Sequence, residues 1–307
     1  MGLKKGNLTS WIKITRLQFY PMTWLAYTVG ALCSFKILDN FNFMAYILGY
    51  VTMFLIEFAT VVSNEYYDYE TDKINKNYSQ FTGGSRMIVE GKITFKQARN
   101  AIVISLVLAL ILGIFLTFIY NRYSIYIVSI GALLGLAYTV PPLKLSYRGL
   151  GEMDVGITHS FYIVLAGFLL QAPTPGILLP WLVSIPLFFA IFGAIILAGF
   201  PDYEADEKIG KRTITVVLGK RNASIVSFLS ISLSIISSIL IAYFGILGFA
   251  SVIFLIVIIH GIALLYLLYS KVMQNLIETR IDKLLQISLS YILWFTLIPI
   301  LYLLNIF

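Results

Sequence analysis

Long apolar segments alternate with short polar ones along the whole chain of 307 residues. Each apolar segment is about 20 residues long, which is the length at which an α-helix crosses the hydrocarbon core of a bilayer. The pattern predicts nine membrane-spanning helices in one transmembrane domain, residues 1–307, which begins with a short polar segment, residues 1–16. The predicted spans are Tyr20–Leu38, Phe43–Ser63, Ala98–Phe118, Tyr123–Val140, Met153–Gln171, Leu178–Gly199, Ala223–Phe244, Leu247–Tyr269 and Leu284–Phe307.

Composition supports the same interpretation. Hydrophobic residues make up 59% of the chain and charged residues 12%, whereas about 25% charged residues are usual in soluble domains. The mean hydropathy is +0.88. The one cysteine, Cys33, falls inside a predicted span, so a disulfide framework and a cysteine metal site are excluded. The sequence therefore predicts an all-α integral membrane protein.

Basic residues concentrate in the loops of one side. All Lys and Arg residues except Lys36 and Arg122 lie in the N-terminal segment or in loops after even-numbered spans. Loops rich in Lys and Arg are cytoplasmic as a rule. The charge distribution therefore predicts a multi-pass protein of the cell membrane with a cytoplasmic N-terminus and an extracytoplasmic C-terminus. The polar first 16 residues do not resemble a cleavable signal peptide. Topology and anionic lipid account for the net charge of +7, so we expect a bilayer but no nucleic acid and no obligate protein partner.

One acidic hexapeptide occurs twice. "DYETDK" at Asp68–Lys73 and "DYEADE" at Asp202–Glu207 each follow a predicted span and open a long loop. Four spans separate the two copies, so both loops are predicted to face the cytoplasm. This spacing favours a tandem repeat related by an axis along the membrane normal. Functional residues of a helical bundle are expected in such long polar loops.

The spacing inside each copy suggests metal binding. If the helices continue through their ends, Asn64, Asp68 and Asp72 stack on one face of the second span. Asp202 and Asp206 would do the same on the sixth. Stacked like charges destabilise a helix unless water or a cation offsets them. One such pair is typical of a solvated helix end, but two at equivalent places predict Mg²⁺ ions that share their ligands with a substrate diphosphate.

Basic and aromatic residues lie near the acidic pairs in the sequence. The basic residues expected to bind phosphoryl oxygens are Arg86, Lys144, Arg148, Lys211 and Arg212. Tyrosines are also frequent at these loop edges. Most are expected to be interfacial belt residues, and a few could shield an allylic cation through cation–π contact.

These motifs resemble the UbiA superfamily of membrane prenyltransferases. The family's NDxxDxxxD motif is matched by "NEYYDYETD", Asn64–Asp72, and its DxxxD motif by "DYEAD", Asp202–Asp206. Within the family, the chain is most similar to the MenA-type branch. That likeness rests on "TGGSRMIVEGKIT" (Thr82–Thr94), "YRGLGE" (Tyr147–Glu152) and "GKRTITVVLG" (Gly210–Gly219). Departures are Glu65 in place of the motif's second Asp, the lead-in "GFP" before Asp202, and "RLQFYP" where an Arg-Pro usually opens the first span.

The resemblance implies a nine-helix bundle with two Asp-rich cytoplasmic loops and a Mg²⁺-dependent transfer of a polyprenyl chain from its diphosphate to an aromatic acceptor. The acceptor it implies is a quinone precursor such as 1,4-dihydroxy-2-naphthoate. It also implies roles for individual residues. Those for metal and catalysis are Asn64, Asp68, Asp72, Asp202 and Asp206, with Tyr138 beside the reacting carbon. Those for the diphosphate are Asn64, Arg16, Lys73, Arg86 and Lys144, and Arg148 and Lys211 join them as nearby basic loop residues.

Two alternatives remain at this stage. The same scaffold could prenylate another acceptor, such as 4-hydroxybenzoate, homogentisate, a haem or a glycerol ether lipid. A protein of another class, an ion transporter or channel, would need ionisable residues along a path across the bilayer, and Glu57 is the clear intramembrane acid. Glu57 is expected either to form a structural pair or to line a cavity. His159 and His260 are expected to be packing residues.

Overall fold

The computed structural model of the protein describes residues 7–171, 176–248, 253–274 and 281–306. Five parts of the sequence predictions lie outside these ranges: residues 1–6 of the N-terminal segment, most of the connection between the fifth and sixth spans, residues 249–252 of the eighth span, residues 275–280 of the basic loop that follows it, and Phe307.

The secondary structure of the described residues is helical. The helices are α1 (Leu8–Thr15), α2 (Tyr20–Leu38), α3 (Phe43–Tyr67), α4 (Tyr69–Ile74), α5 (Phe95–Ile119), α6 (Ser124–Ala137), α7 (Gly151–Ile157), α8 (Ile163–Gln171), α9 (Leu179–Ala198), α10 (Tyr203–Lys208), α11 (Ile214–Tyr243), α12 (Phe254–Leu267) and α13 (Asp282–Leu303). A π-helical segment, Thr158–Tyr162, joins α7 to α8, so the two form one helix across residues 151–171. A second π-helical segment, Leu268–Met273, extends α12.

The predicted number of nine spans is confirmed only in part. Within the described ranges, seven helices are long and apolar enough to cross a membrane: Phe43–Tyr67, Phe95–Ile119, Gly151–Gln171, Leu179–Ala198, Ile214–Tyr243, Ile256–Met273 and Asp282–Leu303. The other two predicted spans correspond to α2 and α6. Helix α6 has 14 residues, fewer than a perpendicular span requires. Helix α2 has 19 residues, among them Lys36.

Two glycines allow α2 and α8 to pack closely. A Cβ atom at Gly30 would collide with the backbone of Val164, and one at Gly167 would collide with the backbone of Tyr27. Small residues at helix crossings are typical of membrane bundles, because they let backbones approach where lipid offers no hydrophobic driving force. α13 packs against α2 and α9, and α11 also packs against α9. Facing side chains of these helices, with those of α3, form the main core.

Apolar side chains also cover the outside of the bundle. On α5 they include Val103, Ile104, Val107, Ile111 and Phe118, whose exposed fractions range from 49% to 83%. Side chains of this kind on the perimeter of a helical bundle are compatible with contact to lipid tails and not with water. The outer face of α5 therefore agrees with a protein that lies in a membrane.

The acidic motifs are not simple extensions of the preceding spans. Helix α3 ends at Tyr67, Asp68 adopts a non-helical conformation, and α4 restarts at Tyr69. Helix α9 ends at Ala198, and Asp202 caps the separate helix α10. The prediction that Asp202 and Asp206 continue the sixth span was therefore wrong. The chain turns between α9 and α10 at Gly199–Pro201, where proline cannot continue a helical hydrogen-bond pattern.

Candidate active site

The first acidic motif keeps its carboxylates on one side despite the break at Asp68. The backbone N–H of Asp68 donates to the Asn64 carbonyl at 2.8 Å, and that of Asp72 donates to the Asp68 carbonyl at 2.9 Å. The side-chain amide of Asn64 also donates to Asp68 Oδ2 at 2.7 Å. Glu70, in the same motif, is exposed. The local fold therefore places Asn64, Asp68 and Asp72 at the cavity, although the continuous helix on which the sequence prediction depended is broken at Asp68.

The second motif meets the first across the bundle. Asn75 Nδ2, just after α4, donates to Asp202 Oδ1 at 2.7 Å. The backbone N–H of Asp206 donates to the Asp202 carbonyl at 2.9 Å, and Asp206 is 2% exposed. Glu204 points away and is exposed. The two hexapeptides thus lie at the same end of the bundle and in contact, and this end is called the motif end below.

Lys211 lies between the two motifs. Its Nζ donates to Asp68 Oδ2 at 2.8 Å and lies 3.7 Å from Asp206 Oδ1. The hydroxyl group of Tyr147 donates to the other oxygen of Asp68 at 2.9 Å, and the Tyr147 ring lies 5.4 Å from Lys211 Nζ. One buried ammonium group therefore links carboxylates from the two halves of the chain.

Negative charge nevertheless exceeds positive charge at this end. Burial raises the pKa of the Asp202 carboxyl group, raises that of Asp206 to about 7, and, together with the neighbouring carboxylates, raises that of Asp72 well above its ordinary value. Burial would lower the pKa of Lys211, but the charges of Asp68 and Asp206 raise it. Further positive charge at this end would therefore favour the ionised forms of these acids.

A glycine-containing loop, Thr82–Arg86, borders the acids. Glu65 fixes it, because the backbone N–H of Ser85 donates to Glu65 Oε1 at 2.5 Å and the Ser85 hydroxyl donates to Oε2 at 2.7 Å. Arg86 Nη1 donates to the Asp72 carbonyl at 2.6 Å. Gly84, with φ +69°, leaves no room for a Cβ beside the Asp72 carboxylate. Glu65, the departure from the family motif, therefore supports this loop.

The other residues predicted to bind the diphosphate differ in whether they reach the central cavity. Arg16, between α1 and α2, donates from Nη2 to the Phe81 carbonyl at 2.8 Å and lines the central cavity with Lys211. Lys144 Nζ lies 3.8 Å from the centre of the Tyr147 ring. Lys73 is exposed and lies over the Tyr69 ring. Arg148 is also exposed and donates to the Pro142 carbonyl. The residues that line the cavity do not include Lys73, Arg86, Lys144 or Arg148.

A cavity of about 330 Å³ runs from the motif end into the bundle. At the motif end, its wall contains the predicted residues Arg16, Asn64, Asp68, Asp72, Tyr138, Asp202, Asp206 and Lys211. Deeper in the bundle, most of the wall is apolar and includes Met53, Ile191 and Ile292. Such a cavity suits a ligand with an anionic head and an apolar body.

The deep part of the cavity also contains polar side chains. Glu57 and Thr60 lie on α3, and Asp154 lies on α7. Thr158, His159 and Tyr162 come from the π-helical segment, a type of bulge that is frequent at functional sites. His159 therefore lies at the cavity, whereas His260 has the expected packing role and accepts a hydrogen bond from Trp294.

Several contributors to the site were missed from sequence. Asn75 and Tyr147 touch motif carboxylates, and Glu152 lines the cavity while its Oε1 accepts the Ile214 N–H at 2.8 Å. Only "YRGLGE" gave a signal, since it contains Tyr147 and Glu152. Asn75 lies in an unremarkable polar loop.

The donor set fits divalent metal. Four motif carboxylates face the cavity with two basic residues, Arg16 and Lys211, and Asp206 Oδ1 has no hydrogen-bond partner in the described part of the chain. In the same ranges, no three His, Cys, Asp or Glu side chains converge as a complete cage. Mg²⁺ is commonly held by one or two carboxylates with water and substrate phosphates, so this open arrangement matches its coordination.

Sequence comparison identifies relatives of known activity. The chain is 29% identical over 169 residues to a 1,4-dihydroxy-2-naphthoate octaprenyltransferase of Bacillus subtilis, covering 55% of this chain and 53% of that enzyme. This chain therefore matches about half the length of the Bacillus enzyme. It is 28% identical over 273 residues to a digeranylgeranylglyceryl phosphate synthase of Sulfolobus acidocaldarius, covering 88% of this chain and 91% of that enzyme.

Solved structures share the fold. A UbiA homolog from Archaeoglobus fulgidus bound to GPP and Mg²⁺ has a TM-score of 0.65 at 16% identity, over 95% of this chain and 99% of that one. A UbiA homolog from Aeropyrum pernix gives a TM-score of 0.68 at 16% identity, over 92% and 94%. The model of the UbiA prenyltransferase family matches residues 22–302. With two acidic motifs joined at one end of a helical bundle, this chain belongs to the UbiA prenyltransferase family.

Proposed function

We propose that this membrane prenyltransferase transfers a polyprenyl chain from its diphosphate to an aromatic acceptor, with Mg²⁺ bound at the motif end. The observation that carries the proposal is the meeting of both acidic motifs around Lys211 at the mouth of a largely apolar cavity. The relative from Archaeoglobus fulgidus, bound to GPP and Mg²⁺, supports a diphosphate and metal here too.

The motif end would hold the diphosphate. Asn64, Asp68, Asp72, Asp202 and Asp206 would supply Mg²⁺ ligands. Bound Mg²⁺ would offset the negative charge that develops on the departing diphosphate. Arg16 and Lys211 line the same region and would donate charge-assisted hydrogen bonds to phosphoryl oxygens. Arg86 would hold the loop against Asp72, while Lys73, Lys144 and Arg148 would contribute charge from further away.

The reaction is a substitution at the prenyl carbon C1. The C1–O bond breaks, diphosphate takes the electron pair, and the allylic cation that remains is attacked by the electron-rich ring. The ring then loses a proton, or CO₂ if the carbon attacked carries a carboxylate. Tyr138 lines the cavity beside the acids and would face the cation with its ring. The apolar wall would keep out water that would otherwise quench it.

The acceptor we propose is a quinone precursor such as 1,4-dihydroxy-2-naphthoate. The naphthoate-specific Bacillus relative and the three sequence stretches of that branch support this choice. A second candidate is a glyceryl phosphate ether lipid, because the digeranylgeranylglyceryl phosphate synthase of Sulfolobus matches a larger share of the chain. By the positive-inside rule the motif end would face the cytoplasm.

The test is prenyl transfer by the purified protein in detergent. It would use geranylgeranyl diphosphate, Mg²⁺ and one acceptor at a time: dihydroxynaphthoate, 4-hydroxybenzoate or geranylgeranylglyceryl phosphate. We expect a prenylated naphthalene that disappears with EDTA. If geranylgeranylglyceryl phosphate is the one acceptor that yields product, the acceptor is the glycerol ether lipid and not the proposed quinone precursor. Absence of both product and diphosphate release with all three would contradict the proposed reaction, and ion flux in liposomes would then test the transporter alternative.

A further inference from the structure

Glu57 is an acid inside the bundle that the transfer chemistry does not use. It lies on α3 and lines the cavity. Its Oε1 accepts a hydrogen bond from Thr23 at 3.0 Å, whereas its Oε2 is buried and has no hydrogen-bond partner among the described residues. A buried carboxyl oxygen without a partner is costly. Because Glu57 lines the cavity, a ligand bound there is placed to supply the missing hydrogen bond.

The position of Glu57 separates it from the diphosphate. It precedes Asn64 by seven residues on the same helix, which places it about 10 Å deeper along the α3 axis and on the same face. Thr60, between them, also lines the cavity. A diphosphate held at Asn64 and Asp68 would therefore lie about two helical turns from the Glu57 carboxyl group.

The chemistry of Glu57 does not suit the prenyl chain. A polyprenyl tail has no group that donates or accepts a hydrogen bond, so it cannot satisfy Oε2. The acceptor is the other substrate that must reach C1, and hydroxylated rings carry a suitable group. A carboxylate or phosphate on the acceptor would find its positive partners at the motif end, where Arg16 and Lys211 line the cavity.

We infer that Glu57 recognises the acceptor by a hydrogen bond between its free carboxyl oxygen and a hydroxyl group that is not the nucleophile. This inference rests on the proposed function. It predicts selection for acceptors with an anionic group at one end and a hydroxyl group at the other. Dihydroxynaphthoate and 4-hydroxybenzoate have this form. Geranylgeranylglyceryl phosphate does not, because its one free hydroxyl group is the nucleophile.

A structural role for Glu57 would involve Tyr20. The Tyr20 hydroxyl is also buried and without a hydrogen-bond partner in the described ranges, and no hydrogen bond joins it to Glu57. If the two residues mainly support each other, Tyr20→Phe should reproduce the effect of changing Glu57. If Glu57 binds the acceptor, Tyr20→Phe should leave acceptor binding unchanged.

The experiment compares wild type, Glu57→Leu, Glu57→Gln and Tyr20→Phe, all purified in detergent. KM is measured separately for dihydroxynaphthoate and for geranylgeranyl diphosphate, and acceptor binding is measured by calorimetry. We expect Glu57→Leu to raise the acceptor KM and Kd at least about tenfold, the equivalent of one buried hydrogen bond. The KM for the diphosphate should stay within about twofold, and Glu57→Gln, which can still hydrogen-bond, should recover most of the loss.

An acceptor analogue gives a second readout. The analogue is dihydroxynaphthoate methylated at the hydroxyl group remote from its carboxylate. Wild type should bind this methyl ether about tenfold more weakly than it binds dihydroxynaphthoate. Glu57→Leu should bind the two compounds equally well. An unchanged acceptor KM in Glu57→Leu, an equal rise in both KM values, or the same loss in Tyr20→Phe would overturn the inference while leaving prenyl transfer intact. Prenyl transfer to geranylgeranylglyceryl phosphate alone would also overturn the inference and leave prenyl transfer intact. A wild-type protein that binds no acceptor and releases no diphosphate would overturn the inference and the proposed function together.

Discussion

Lys211 and Asp68 form a buried salt bridge across 143 positions of sequence, with Nζ 2.8 Å from Oδ2. Asp206 lies on the other side of the same ammonium group, at 3.7 Å. The acidic motifs of the two halves are therefore held around one positive charge. Four carboxylates against Lys211 and Arg16 leave this end of the cavity short of positive charge, which is the condition that a metal–diphosphate complex would relieve.

Replacing Asp68 by Asn should abolish transfer without unfolding the protein. The change removes a proposed metal ligand, and we expect the transfer rate to fall at least about 100-fold because charge stabilisation of this kind dominates such reactions. Lys211 keeps Asp206 as a partner, so the melting temperature in detergent should fall by only a few degrees. Rates are measured from radiolabelled geranylgeranyl diphosphate. The matched control is Glu70→Gln, an exposed acid of the same motif, and near-normal turnover in Asp68→Asn would contradict the site.

Sequence alone predicted the most regular features of this protein. Apolar segment length located most of the helices because a bilayer sets the length of a perpendicular span, whereas α6 is shorter, with 14 residues. The repeated hexapeptide identified four of the acids that line the cavity, Asp68, Asp72, Asp202 and Asp206, because Asp side chains in an apolar chain have few other uses. Lys211 was also predicted, but only as one of several nearby bases. Its position between Asp68 and Asp206 depends on how two distant loops fold together.

The features that were missed are set by tertiary contacts. The break at Asp68 and the separate helix after Pro201 depend on local turns that propensity does not specify. Glu65 looked like a conservative replacement of a motif Asp, yet its carboxylate holds Ser85. Asn75 reaches Asp202 across 127 positions. No periodicity or spacing in the chain signals contacts of this kind.

Asn75 should act as a positioning residue for the second motif. Asn75→Ala removes the hydrogen bond that orients Asp202, so metal should bind more weakly while the fold is retained. We expect the Mg²⁺ concentration for half-maximal activity to rise about fivefold to tenfold, as for loss of one hydrogen bond. Its exposed neighbour Lys76 provides the control, Lys76→Ala. An unchanged Mg²⁺ dependence would show that the Asn75–Asp202 contact does not orient the metal ligands.

Glu65 should affect the diphosphate through the loop that it holds. Glu65→Ala frees the Ser85 N–H and hydroxyl group, so the Thr82–Arg86 loop and the Arg86–Asp72 contact should lose their fixed positions. We expect KM for geranylgeranyl diphosphate to rise about tenfold, as for loss of one or two buried hydrogen bonds, with a smaller change in acceptor KM. Ser85→Ala, which removes one of the two hydrogen bonds, should give an intermediate value. If Glu65→Ala instead changes only the Mg²⁺ dependence, Glu65 is a metal ligand in the working enzyme and not a support for the loop.

The contact between α2 and α8 should be sensitive to a single methyl group. Gly30→Ala would place a Cβ against the Val164 carbonyl, and backbone on both sides leaves no flexible side chain to move away. Overpacking of this kind costs about 1–3 kcal/mol, so the melting temperature in detergent should fall measurably. At Gly176 a Cβ would meet no atom within 4 Å in the described part of the chain beyond its own chain neighbours, and Gly176→Ala is therefore the matched control with an unchanged melting temperature. Equal melting temperatures for the two variants would mean that α2 and α8 are further apart in the folded protein than the contact between Gly30 and Val164 implies.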